Sequence, residues 1–196
     1  RMLKNQDEIY YISGPNREVL ENSPTMEIFK KKNIEVIYCF DPIDEFALPG
    51  LFEFKEKKII SADQVDLTKL DKVESEDKEE KKEKKTTKKE DKEFDKLARR
   101  IKDILGDNVD DVQLSERLVN SPAVLIGKGM SSQMEKIMAM YEQDNKPKPK
   151  VMEINKNHSL IKNMLTIYKK DVKDPLLTKA VDNLFNSVLL IDGMLS

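Results

Sequence analysis

Ile34-Glu35-Val36-Ile37-Tyr38-Cys39-Phe40 runs directly into Asp41-Pro42-Ile43-Asp44, and this junction decides how the first half of the chain folds. The seven-residue run is apolar enough to predict a strand buried on both faces. Asp41 is placed as a helix N-cap, with Pro42 at the first helical position and Asp44 near the positive end of the helix dipole. Pro49-Gly50 makes that helix short or kinked. Upstream, Ile9-Tyr10-Tyr11-Ile12 predicts a buried strand stopped by Ser13-Gly14-Pro15. A helical stretch follows, broken at Ser23-Pro24, where Ser23 is set to cap a new helix. Met26 and Phe29 share a face of that helix, and Lys30, Lys31 and Lys32 suit its negative end. Downstream, Lys58-Ile59-Ile60-Ser61 reads as a third strand. Strand, helix, strand, helix, strand at these spacings implies a small parallel sheet with right-handed crossovers.

Farther along, 17 of the 20 residues from Glu74 to Glu93 are charged, nine acids beside eight lysines. Several acid-to-lysine pairs lie four apart in the favourable order, so a solvated helix and a disordered linker are both open readings. The near balance of charge, without arginines or interleaved aromatics, argues against phosphate binding. From Phe94 an amphipathic stripe begins: Phe94, Leu97, Ile101, Ile104 and Leu105, stopped by Gly106. Val109 to Leu114, Ala123 to Ile126 and Val151 to Ile154 read as strands. Helical spacing returns at Leu160, Ile161, Met164, Leu165 and Tyr168, and again from about Asp174 through Leu177, Val181, Leu184, Val188 and Ile191.

The chemical inventory is sparse. The whole chain of 196 residues has one histidine and one cysteine, with a net charge of −2. A balanced charge gives no global attraction to nucleic acid or anionic lipid. The one cysteine excludes an internal disulfide and fits a reducing, cytoplasmic setting. No apolar run approaches the roughly 20 residues needed to span a bilayer, and the polar start does not resemble a secretory signal. The first residue is Arg1, just ahead of a strand, which reads as a piece of something longer. His158 lies where a helix starts and Cys39 inside an apolar strand, so each is assigned a structural role. Asp41, Asp44 and Glu45 form a carboxylate cluster better explained by helix capping than by magnesium. Neither GxGxxG nor GxxxxGK[ST] occurs. One stripe resists assignment. Met130, Met134, Ile137, Met138 and Tyr141 fall on one helical face, and three of the five are methionine, an adaptable side chain common at promiscuous surfaces. Core packing and an exposed binding face are both open from pattern alone.

Several strings resemble the heat-shock protein 90 family of chaperones, in its bacterial form. Glu21-Asn22-Ser23-Pro24, Ile34 to Tyr38 and Asp41 to Phe46 are similar to the end of its middle domain. Ile104-Leu105-Gly106-Asp107, Ser115 to Pro122 and Met152-Glu153-Ile154-Asn155 are similar to its C-terminal domain. The resemblance implies three parts: residues 1–67 ending the middle domain, a charged linker at 68–93, and a C-terminal domain at 94–196. The expected fold is a small α/β parallel-sheet domain, then an α+β domain with a three-stranded antiparallel sheet and dimerisation helices.

The resemblance also implies function. In that family the ATP pocket lies in an N-terminal domain, so ATP and magnesium belong upstream of Arg1, and this piece is expected to carry no cofactor and no catalysis. Client protein is expected to meet Met130, Ile137 and Met138, with Met134 and Tyr141 included only because they share that face, and a second surface at Glu45 and Phe46. Homodimerisation is expected through Leu177, Ala180, Val181, Leu184, Phe185, Val188 and Leu189, weakened because the family's final helix would begin after Ser196. Partners are therefore partly folded proteins and a second copy, with neither nucleic acid nor membrane. The rival readings are an assembly module without a client site and a nucleotide-binding enzyme built on the first α/β unit.

Overall fold

The computed structural model describes residues 2–3, 6–70, 73, 88–127 and 150–193, with backbone alone at residues 45, 49 and 88–90. These fall into two compact units, the first holding those within residues 1–76 together with Gly127 and the second those within 77–126 and 148–196.

In the first unit β1 (Glu8–Ser13), β2 (Val36–Cys39), β3 (Glu53–Phe54) and β4 (Lys57–Ser61) form one sheet in the order β2-β1-β4-β3. β1 runs parallel to both β2 and β4, as the strand-helix alternation requires. The short β3 was not anticipated; it pairs antiparallel with β4 through a two-residue turn. Among the described residues four short α-helices accompany the sheet: α1 (Arg17–Glu21), α2 (Glu27–Lys31), α3 (Asp44–Leu51) and α4 (Leu67–Leu70). Tyr10 and Phe29 stack in a tilted pair, ring centroids 5.1 Å apart, at the centre of a core with Leu20, Met26, Ile34, Ala62 and Leu70.

Three local expectations change. β2 is an edge strand, and Ile37 points to solvent rather than into a second buried face. A run of apolar residues does not reveal whether a second layer covers it. Asp41 does not cap α3. Its Oδ1 accepts the N–H of Ile43 at 3.1 Å and its carbonyl that of Asp44 at 2.9 Å, a tight turn that delays the helix to Asp44. Ser23 makes no side-chain cap either, because Pro24 opens a 3-10 turn that precedes α2.

Gly14 illustrates how tightly this unit is built. A Cβ there would lie 2.6 Å from Leu20 Cδ2, inside any real contact distance. Gly14→Ala is therefore expected to lower unfolding stability by about 1–3 kcal/mol, read from urea denaturation.

Glu8 is buried in β1. It accepts the Tyr10 hydroxyl at 3.3 Å and pairs with Lys69, so α4 is tied to the sheet. Burial, reinforced by the Glu8 charge and hydrogen bond, pushes the Tyr10 phenol well above its usual range. A raised folded value means that the contribution is complete below about pH 10, the ordinary tyrosine value, and is lost as pH climbs beyond it. Lys69 is also raised, by its hydrogen bond and charge interaction with Glu8, and acts in the same direction. Through Tyr10 alone, alkaline solution is expected to weaken this unit by up to about 1.4 kcal/mol per pH unit above 10. Tyr10→Phe should flatten that limb, as followed by circular dichroism between pH 8 and about 11.

In the second unit β5 (Val109–Leu114), β6 (Ala123–Ile126) and β7 (Lys150–Ile154) pair in the order β5-β7-β6. β6 is antiparallel to β7, but β5 is parallel to it, so the sheet is mixed rather than antiparallel. Three successive strands suggest hairpins. Here the 35 residues between β5 and β7 provide the long connection a parallel pair needs.

Helices α5 (Lys88–Leu105), α6 (Ser159–Lys170) and α7 (Pro175–Ile191) complete this unit. Leu97, Ile101, Met152, Ile154, Ile161, Met164 and Leu177 meet in its core. Gly106, at φ +56°, ends α5 in the left-handed conformation that suits glycine. Asp174 accepts the N–H of Leu176 at 2.8 Å and starts α7.

Residues 68–93 contain structure at both ends. Leu70 and Val73 are buried in the first core, while α5 already runs from Lys88, with Asp91 paired to Lys156. Residues 74–87 lie outside the described residues.

Candidate functional site

α3 carries the first candidate residues. Ile43, Phe46, Ala47, Gly50 and Leu51 follow i, i+3, i+4, i+7 and i+8 spacing, one face of a helix. Such a stripe ordinarily faces the core. Here all five are exposed. The chain has seven phenylalanines, and four of them lie between residues 40 and 54. Phe40, Phe46, Phe52 and Phe54 are 48–76% exposed, whereas Phe29 and Phe94 are buried.

Backbone strain accompanies this display. Phe52 sits at φ +50°, and Lys55 and Glu56, the turn between β3 and β4, at +49° and +64°. Such values favour glycine or asparagine, and each costs a residue with a side chain on the order of 1–3 kcal/mol. Of the carried-over pair, Phe46 is exposed, and the Glu45 side chain lies outside the described atoms. Leu51, Phe52 and Phe54 share this exposure and are not among the residues expected from sequence. The clustering of phenylalanine was the signal that could have found them.

The α7 stripe divides in two. Leu177, Val181, Leu184 and Val188 are buried in the chain's own core. Ala180, Phe185 and Leu189 are only partly buried against it. Leu176, Leu190 and Ile191 are exposed; Ile191 belongs to the expected helical stripe, but none of the three to the expected dimerisation set. Lys150 is buried and reaches Asp192 at 2.8 Å, fixing the end of α7 to β7. The methionine face, Met130, Met134, Ile137, Met138 and Tyr141, lies outside the described residues.

His158 begins α6: its Nδ1 accepts the N–H of Leu160 at 3.1 Å, the structural role expected of it. Cys39 is buried in β2, also as expected. Among the described residues no group of three His, Cys, Asp or Glu is arranged to hold a metal. No helix among them is long and apolar enough to cross a membrane.

Two strings distant in sequence interlock in the second unit. Glu153 on β7 accepts Ser115 Oγ at 2.8 Å, Arg117 Nε at 3.1 Å and Gln113 Nε2 at 3.3 Å. Asn155 donates through Nδ2 to the carbonyls of Ser121 and Val119 at 3.0 and 3.3 Å, and its backbone N–H donates to Pro122 at 2.8 Å. The Ser115–Pro122 loop is thereby fastened to the end of β7, with Arg117 and Glu153 both buried.

The model of the family described as Hsp90 protein matches residues 1–195. The chain belongs to the Hsp90 family. The Hsp90-family relatives it resembles include the chaperone protein HtpG of Oleidesulfovibrio alaskensis, 38% identical over all of this chain and 31% of that protein. HtpG of Nitratidesulfovibrio vulgaris is 34% identical over the same shares. HtpG of Geobacter sulfurreducens is 34% identical over 98% of this chain and 29% of its own length. The chain thus spans under a third of the length of these Hsp90 relatives. The strings by which it resembled Hsp90 in sequence include those that fasten the Ser115–Pro122 loop to β7.

Proposed function

We propose that this chain is the part of a bacterial-type Hsp90 chaperone that holds partly folded client protein and contributes to self-association. The observation that carries the reading is the outward apolar stripe of α3, continued by Phe52 and Phe54. Large exposed apolar surface on a water-soluble unit marks a place where something docks. The methionine face from Met130 to Tyr141 supplies a second, adaptable contact, and two weak contacts on one client add through avidity. Self-association then uses the part of α7 left uncovered: Ala180, Phe185, Leu189, Leu190 and Ile191. ATP binding and turnover are assigned to the remainder of the protein, so this chain works as a passive holder. An assembly-only module leaves the α3 stripe without a purpose.

The test is suppression of aggregation of a thermally unfolded client by light scattering. Suppression should fall several-fold when Met130, Ile137 and Met138 are changed to serine, and separately with Phe46→Ser. Full suppression by both variants, with native circular dichroism, would remove the client-holding reading.

A further inference from the structure

We infer that the surface formed by α3 and the β3–β4 hairpin selects client segments that combine aromatic or aliphatic residues with lysine or arginine. This rests on the client-holding reading above and names the class of segment that this surface takes.

The apolar half of the argument is the outward stripe of Ile43, Phe46 and Leu51 with the exposed rings of Phe52 and Phe54. The other half is charge. Residues 41–56 hold Asp41, Asp44, Glu45, Glu53 and Glu56 against a single base, Lys55. On neighbouring β4, Lys57 is answered by Asp7 at 3.0 Å, leaving Lys58 as the other exposed cation. Apolar side chains set among excess carboxylates attract an apolar segment that also carries positive charge, and disfavour an acidic one.

The rings add to this preference, because an aromatic face attracts a cation electrostatically. Phe54 already demonstrates it: Lys55 Nζ lies 5.3 Å from its ring centroid. An incoming arginine or lysine can take the same kind of place. Phe54 lies on β3, the outer strand of the sheet beyond which no described strand pairs, with Phe52 just before it and Lys55 and Glu56 in the turn after it, all three at positive φ.

The experiment uses the 196-residue chain and two fluorescein-labelled peptides of identical apolar content, one flanked by arginine and lysine, the other by glutamate. Fluorescence anisotropy at low salt is expected to give about tenfold tighter binding of the basic peptide, as two or three half-exposed ion pairs would supply. The gap should narrow at about 0.2 M salt. Phe54→Ser and Phe52→Gly should each weaken the basic peptide several-fold. Phe52→Gly also releases the positive φ, so a retained thermal midpoint separates lost contact from lost fold. Glu53→Lys with Glu56→Lys should reverse the preference.

Equal binding of the two peptides, or a preference untouched by the charge reversal, overturns this inference and leaves client holding intact. Failure of both peptides to bind removes the inference and client holding together. Loss of self-association in Phe54→Ser, with no competition by peptide, would show that a second copy covers the surface and would also overturn it.

Discussion

Arg117→Ala is expected to destabilise the second unit by about 3–5 kcal/mol, the largest effect of any single change considered for this chain. The reason is the position of Glu153. Its carboxylate is buried, and of the donors Gln113, Ser115 and Arg117 only the Arg117 guanidinium brings positive charge. Truncating the arginine leaves a buried anion with two neutral donors, and the cost is that of an uncompensated charge rather than of one hydrogen bond. Arg117 Nη1 is itself buried without a hydrogen-bond partner among the described residues, so the intact pair is not ideally satisfied. Replacing both members by apolar residues, Arg117→Met with Glu153→Leu, should therefore recover most of the loss. Urea unfolding followed by circular dichroism measures both variants. A loss below about 1 kcal/mol for Arg117→Ala would mean that water reaches Glu153 and that the loop is less firmly held.

Leu177→Ala should cost about 2–5 kcal/mol, and the cost should not depend on protein concentration. Leu177 is 0% exposed within a single chain, packed with Val181, Leu184 and Val188 in the second unit's core. Its deletion opens a cavity whether or not a second copy is present. Phe185→Ser and Leu190→Ser should behave in the opposite way, changing unfolding stability by less than about 1 kcal/mol while weakening self-association, because much of their surface lies outside that core. Unfolding midpoints at protein concentrations about a hundredfold apart separate the two classes, since stability conferred by a partner rises with concentration. If Leu177→Ala lost its effect on dilution, the helix would take its order from a partner rather than from its own core.

Much of the second unit could be read directly. Val109–Leu114 and Ala123–Ile126 are strands with the predicted bounds, and Gly106 stops α5 where glycine was expected to. These signals are local: a glycine that tolerates positive φ and a helical period that presents one face act within a few residues. The same holds for His158 and for Asp174, whose side chains accept backbone N–H groups two residues on. Pairing direction was not legible. The parallel register of β5 on β7 depends on residues more than thirty apart.

Burial was the property least available from sequence. The stripes of α3 and α7 have the same helical spacing, yet Leu177 is buried and Phe46 exposed. Periodicity states that a helix has an apolar face but does not state what covers it. What the sequence determined by itself was most of the longer strands and helices, the family and the strings that place Glu153 and Arg117 in one chain. Only the tertiary structure decided that Asp41 makes a turn instead of a cap, that β2 is an edge, and that four phenylalanines remain in solvent. Each of those depends on which surfaces meet across the fold, and the free energy of burial belongs to the meeting surfaces rather than to either segment alone.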